Sequence, residues 1–175
     1  MQPTSFLVSL TDLKRTAGAR KDLSLFAAYN QSINVGLVCL PAGREISIDV
    51  VLESVGDGVL VSATAELTLD CQCSRCLTQF SQEITTDIQE LFVYPEREQE
   101  YEEEDVRRIQ EERIDLGPPI RDAVILDQPL NPLCIPDCRG LCPQCGTDLN
   151  TDPFHDHGEG VDSRWLTLTE WGKIS

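Results

Sequence analysis

The stretch "EISIDVVLESVGDGVLVSATAELTLDCQC", residues 45–73, decides how this chain folds. Ile46, Ile48, Val50 and Leu52 alternate with mostly polar neighbours. After Gly56-Asp57-Gly58, the residues Val59, Val61, Ala63, Ala65, Leu67 and Leu69 take up the same period of two. Successive strand side chains point to opposite faces, so the pattern predicts a hairpin with one apolar face, its glycines supplying the positive φ of the turn. A third run, "FSQEITTDIQELFVY" (80–94), carries Phe80, Ile84, Ile88 and Phe92 at even spacing. Three strands in an antiparallel meander with one buried face follow from this.

Outward from that core the signals weaken. "SFLVSL" (5–10) and "INVGLVCL" (33–40) are expected to add strands to the same sheet, and "TDLKRTAGARKD" (11–22) to form a turn or short helix. At Pro95 the composition changes: "EREQEYEEEDVRRIQEER" (96–113) holds nine acids and four arginines. Glu103 with Arg107, and Glu104 with Arg108, have the i,i+4 spacing that supports a helix. A solvated linker or exposed helix is the expectation, with a docking tail for a basic partner as the alternative. "IDLGPPIRDAVILDQPL" (114–130) predicts a short helix, with Pro118 or Pro119 in its first turn, Pro129 beyond its end, and Ile120, Val124 and Leu126 facing the sheet. "VDSRWLTLTEW" (161–171) is expected to close the chain as a helix offering Trp165 and Leu168 to the core.

The expected class is α+β: an antiparallel β-sheet domain with short helices and a C-terminal zinc-ribbon-like module. Its divisions are a β-rich domain at 1–95, the acidic linker or helix at 96–116, and at 117–175 a short helix plus the metal module packed on the sheet.

Charge bounds the function. The 175 residues include 14 Lys+Arg against 30 Asp+Glu, a net −16. General attachment to a phosphate backbone needs positive charge, so any nucleic-acid contact must use a local patch or a basic protein intermediary. No run approaches the roughly 18–20 apolar residues of a membrane span. The start, "MQPTSFLVSL", has no basic n-region, so a secretory signal is not expected and the eight cysteines belong in a reducing compartment. There, clustered cysteines are metal ligands or catalytic thiols more often than disulfides.

The clusters are "CQCSRC" (71–76) and "CIPDCRGLCPQCGTDLNTDPFHDH" (134–157). Zinc takes four thiolate or imidazole ligands in a tetrahedron, and two cysteines two or three residues apart can face one ion across a tight turn. "CPQCG" has the form of such a knuckle, with Pro143 stiffening the loop and Gly146 easing its exit. One site is assigned to Cys142, Cys145, His155 and His157. Cys134 and Cys138 then lack half a shell, which Cys73 and Cys76 can complete, so that the metal ties sheet to module. The competing division puts Cys134, Cys138, Cys142 and Cys145 on one ion, and "HDH" is then a solvated acidic turn. Two structural zinc ions are expected; a structural zinc contributes roughly 10 kcal/mol or more to folding. Cys39 is expected to be a buried small hydrophobe, and Cys71 buried or a spare ligand. Catalytic zinc keeps an open position and a nearby base; here the ligands come in complete pairs with no histidine left over, so no enzyme and no small-molecule substrate are expected.

The combination of "DCQCSRCLTQF" at the end of a hairpin, an acidic stretch, "IDLGPPIRDAVILDQPLNPLC" and "CRGLCPQCGTDLN" resembles the YceD family of large ribosomal RNA subunit accumulation proteins, from about Glu45 to Trp165. Many members carry a Cys-x-Cys pair where this chain has His155-Asp156-His157, an exchange of thiolates for imidazoles at the same spacing. The resemblance implies a role in accumulation or processing of large-subunit ribosomal RNA, in the bacterial cytoplasm or plastid stroma, with that RNA or a basic ribosomal protein as partner. The rival is a zinc-ribbon adaptor for a basic protein without RNA contact. Six residues are candidates for an RNA- or partner-binding face: Lys14, Arg15, Arg20, Lys21, Arg75 and Arg139.

Overall fold

The computed structural model describes residues 6–100, the side chains of 98–100 excepted, and 106–158. In chain order the strands are β1 (Leu7–Ser9), β2 (Arg20–Tyr29), β3 (Ile33–Val35), β4 (Val38–Leu40), β5 (Arg44–Ser54), β6 (Gly58–Gln72) and β7 (Gln79–Val93). Among the described residues a 3-10 turn (Pro95–Glu100), β8 (Arg107–Arg108), β9 (Arg113–Asp115) and a helix, α1 (Gly117–Asp127), follow them.

The meander read from 45–94 is the centre of the sheet. β6 lies antiparallel between β5 and β7, with Val50 opposite Ala63 and Ala63 opposite Ile88. Ile46, Ile48, Val50 and Leu52 of β5 and the odd-numbered residues of β6 are buried on one face. β2 pairs with the outer edge of β5, and the small hairpin β3–β4 pairs with the far end of β6, where Val38 meets Cys71. β8 adds a short parallel pairing to β7. Among the described residues the architecture is mostly antiparallel sheet with one helix.

The apolar face is covered by α1, whose Ile120 and Val124 are buried, and by Phe6, Val8, Leu10 and Ile114 of a separate two-stranded ribbon, β1 with β9, and its flanks. Leu126 departs from expectation: at 81% exposed it points away from the sheet. Ile120 and Val124 are four residues apart and share a helix face, whereas Leu126 lies two residues beyond, on the other side.

Other departures lie outside the meander. β1 leaves the main sheet to pair with β9. β2 is a ten-residue strand that begins at Arg20, inside the stretch expected as a turn or helix. Its inward residues, Leu23, Leu25 and Ala27, are only partly buried, so its alternation is muted. "INVGLVCL" is two strands rather than one. Arg107 and Arg108 sit in a strand rather than on a helix, and Arg107 pairs with Glu90 at 3.1 Å and Asp122 at 2.5 Å. Their expected helical partners Glu103 and Glu104, like Trp165 and Leu168 of the expected closing helix, lie outside the described residues. Cys39 is half-buried rather than fully buried, whereas Cys71 is fully enclosed.

Residues 128–158 form a loop module without strands or helices of their own; a single antiparallel bridge joins Leu141 and Asp148. It meets the sheet at the β6–β7 connection. Ser74 donates its backbone N–H to Pro132 (2.8 Å), and Leu141 donates to the Arg75 carbonyl (3.2 Å). A second small core of Cys73, Cys76 and Cys138, with Phe80, Leu133, Cys134 and Leu141 packed on it, fills the junction.

Candidate metal centres

Two turns of the same design present the cysteine pairs. At "CSRCLT" (73–78), the Cys73 N–H donates to Thr78 O (2.9 Å) and the Leu77 N–H to Cys73 O (3.0 Å). At "CPQCGT" (142–147), the Cys142 N–H donates to Thr147 O and the Gly146 N–H to Cys142 O, both 2.8 Å. The residue after the second cysteine is left-handed in each, φ 63° for Leu77 and 76° for Gly146. Glycine takes that conformation without penalty and leucine does not, so the first turn is held by its surroundings. In each the threonine hydroxyl lies against the second sulfur, Cys76 to Thr78 at 3.3 Å and Cys145 to Thr147 at 3.1 Å. The repeated Cys-x-x-Cys-x-Thr was the signal that would have revealed Thr78 and Thr147 in the sequence.

The sulfurs of Cys73, Cys76, Cys134 and Cys138 all lie within 4.8 Å of one another. Cys73 and Cys138 stand 3.7 Å apart, Cys76 and Cys134 3.5 Å. Zinc–sulfur bonds of about 2.3 Å in a tetrahedron set sulfur–sulfur edges of about 3.8 Å. The separations match that edge and are far longer than the roughly 2.05 Å of a disulfide. In the second group, Cys142, Cys145, His155 and His157 also bring one ligand atom each within 4.8 Å. Cys145 Sγ is 3.1 Å from Nε2 of His155 and 3.2 Å from Nε2 of His157, and the two Nε2 atoms are 2.9 Å apart. Edges at ordinary zinc bond lengths are about 3.5 Å for sulfur–nitrogen and about 3.3 Å for nitrogen–nitrogen, so this cage is slightly tighter than a filled one. Both imidazoles offer the same nitrogen. Asp152 stands 3.6 Å from Nδ1 of His155, on the side from which a carboxylate orients a ligating ring. Both groups could hold a metal ion. The structure places Cys134 with Cys138 in one group and Cys142 with Cys145 in the other; Cys71 and Cys39 are in neither.

The thiols of the first group oppose one another electrostatically. Burial raises the Cys73 pKa, but backbone N–H groups of Cys76, Cys134 and Arg75 outweigh it and bring the thiol down to about 6. Thr78 lowers Cys76. Cys134 is pushed up to about 12, first by its contact with Cys76, then by burial. Crowded thiolates resist joint ionisation, and a divalent cation among them reverses that logic. In the second group Thr147 leads in bringing Cys145 down to about 6.

A short network supports the first group from the loop that follows it. Asn150 Nδ2 donates to Cys138 Sγ (3.4 Å) and to Asp148 Oδ1 (2.7 Å), and its Oδ1 accepts the Arg139 N–H (2.8 Å). Gly140, at φ 77°, lies against the Arg75 backbone: a Cβ there would be 3.0 Å from Arg75 O and 3.2 Å from Arg75 Cβ. Asn150 carried no recognisable ligand pattern in the sequence.

The six basic candidates are scattered. Arg15 pairs with Glu96 (3.3 Å) and Glu112 and lies 4.7 Å over the Tyr94 ring. Arg20 pairs with Asp22 at 2.9 Å, and Lys21 with Asp12 at 3.4 Å. Arg75 donates to the Cys138 carbonyl (2.8 Å) and Arg139 to the Pro153 carbonyl (3.0 Å). Lys14 is exposed. Arg20 is opposite Glu53, which is opposite Leu60 near the start of β6, whereas Arg75 lies beyond the other end at Gln72. At about 3.3 Å per residue the two sets are separated by about 40 Å, and the structure does not bring them onto one patch.

A Mycobacterium tuberculosis protein described as uncharacterized is 39% identical over 165 residues, covering 93% of this chain and 79% of its own length. A Mycobacterium leprae protein, also described as uncharacterized, is 35% identical over 163 residues, covering 92% and 75%. A maize protein, "Large ribosomal RNA subunit accumulation protein YCED homolog 1, chloroplastic", is 44% identical over 41 residues, 23% of this chain and 14% of the maize protein. No solved structure matches the chain. The family model described as "Large ribosomal RNA subunit accumulation protein YceD" matches residues 61–170, a span that takes in both groups that could hold a metal. This chain belongs to the YceD family.

Proposed function

We propose that this protein is a non-enzymatic factor that supports accumulation of large-subunit ribosomal RNA, with two structural zinc ions holding its C-terminal module to the tip of the sheet. The observation that carries the reading is that the family match over 61–170 contains all eight converging ligands. The donor sets support zinc: four thiolates in one centre, two thiolates and two imidazoles in the other, each a closed set of four. A closed set leaves no position for substrate, so the metal's role is to fasten. The first centre draws its halves from the β6–β7 connection and from the loop after α1, and its ion cross-links segments distant in sequence. The work is placed where large-subunit RNA matures, the bacterial cytoplasm or the stroma in plastid relatives.

A specific observation favours contact with a protein over direct contact with RNA. Five of the six candidate cations are engaged within the chain, and they do not form one patch. The test is genetic and quantitative. Deleting the gene in its host should lower the ratio of large- to small-subunit ribosomal RNA, with rescue by wild type and not by Cys134→Ser/Cys138→Ser. An unchanged ratio, with unchanged ribosome sedimentation, refutes the proposal.

A further inference from the structure

We infer that the open face of the sheet binds a cationic, extended segment of a partner protein, seated across β2, β5, β6 and β7 with Phe26 as its apolar contact. This goes beyond the metal centres and is independent of them. The strand registers set out the face as rows. Ser24, Asp49, Thr64 and Asp87 lie opposite one another across the four strands, and Phe26, Ser47, Glu66 and Thr85 form the next row. Glu45 and Glu83 border the same shallow concavity as Phe26 and Glu66.

This face is solvent-exposed, and among the described residues nothing packs over it. Glu45, Asp49, Glu66, Glu83 and Asp87 are all exposed, and no cation pairs with any of them among the described residues. Asp49 and Asp87 instead accept hydroxyl hydrogen bonds, from Ser24 at 2.5 Å and Thr64 at 2.8 Å. Those bonds hold the carboxylates in place above the sheet. Strands about 4.8 Å apart put Asp49 and Asp87 about 10 Å apart, a spacing that the long stems of lysine and arginine span easily.

Phe26 gives the face direction. It is 68% exposed on a strand whose outer edge has no partner among the described residues. A bare ring beside carboxylates suits an arginine or lysine, whose stem packs on the ring while the charge reaches Glu66 or Glu45. The chemistry selects against other occupants. An RNA phosphate would meet five uncompensated carboxylates, and a second copy would bring the same charges to the same place.

The probe is a fluorescein-labelled twelve-residue peptide of alternating Arg and Thr, with a labelled twelve-nucleotide RNA in parallel, measured by anisotropy on the full chain. Two triple variants carry the same net charge: Asp49→Asn/Glu66→Gln/Asp87→Asn on the face, and Asp12→Asn/Glu111→Gln/Asp122→Asn away from it. Circular dichroism confirms that each is folded. The face variant should bind the peptide at least tenfold more weakly, the remote variant within twofold of wild type, and Phe26→Ser several-fold more weakly; the RNA should not bind. Equal losses in both triples would reduce the effect to net charge and overturn the inference. So would peptide binding unaffected by the face variant, RNA binding that the face variant abolishes, or a sedimentation-detected dimer that the face variant dissolves.

Discussion

Replacing Gly140 by alanine tests whether the loop of Cys138 is locked by backbone contact to the turn of Cys73 and Cys76. Gly140 and Gly146 have nearly the same left-handed backbone, φ 77° and 76°. An L-residue there costs roughly 1–2 kcal/mol, so that cost is common to Gly140→Ala and Gly146→Ala. Their surroundings differ. A Cβ at Gly146 has nothing within 4 Å, whereas one at Gly140 meets Arg75 O at 3.0 Å. That oxygen cannot easily give way, because it accepts the Leu141 N–H at 3.2 Å and belongs to the turn carrying Cys73 and Cys76. Overpacking adds about 1–3 kcal/mol. Gly146→Ala should therefore lose about 1–2 kcal/mol and Gly140→Ala about 2–5 kcal/mol, compared by urea unfolding at saturating zinc. A chromophoric chelator in competition should report weaker metal retention in Gly140→Ala, by about tenfold for each 1.4 kcal/mol that falls on the first centre. Losses equal within about 0.5 kcal/mol would show that the Arg75 contact carries no strain.

Metal analysis of purified protein should give two zinc ions per chain, and one each in Cys73→Ser/Cys76→Ser and His155→Ala/His157→Ala; two ions in either variant refutes the division of ligands. Chelator challenge should remove the ion of Cys142, Cys145, His155 and His157 first, since Cys145 and His157 are exposed while Cys73, Cys76 and Cys138 are buried. A single kinetic phase, or loss of the buried ion first, counts against this. Asn150→Ala removes the donor to Cys138 and the acceptor for the Arg139 N–H. It should destabilise the module by about 1–3 kcal/mol and speed release from the first centre, and unchanged stop-flow release would show Asn150 to be incidental.

What the sequence disclosed follows from how strongly each element is patterned. β5 and β6 bury one face from Ile46 to Cys71, and β7 buries Ile88 and Phe92 with Phe80 and Ile84 half-covered, so their period of two is unmistakable. β2 sits at the edge with its inward side half-covered, and its Leu23, Leu25 and Ala27 share the strand with an outward Phe26 that breaks the polar alternation. β1 and β9 are each three residues long, too short for any period, and they are specified by each other across more than a hundred residues. The two groups that could hold a metal were legible because thiols and imidazoles at turn spacing have few other uses. Thr78 and Thr147 carried a signal in the repeated Cys-x-x-Cys-x-Thr, whereas Asn150 is an ordinary loop residue until the fold places it on sulfur. Whether the basic cluster at 14–21 shares a face with Arg75 was not legible in the sequence, because the distance between Arg20 and Arg75 is set by the length of β6.

The split of the first centre has a consequence for synthesis. Cys76 and Cys134 are 58 positions apart, and Cys73 and Cys138 are 65. At translation rates of about 5–20 residues per second, the first knuckle waits about 3–12 s for its other half. Through that interval the nascent meander ends in two unshared thiols, and a product aborted before Cys134 keeps them indefinitely. The tip can close only once Cys134 and Cys138 have been made, so loss of those free sulfurs would mark a chain extended past its second pair.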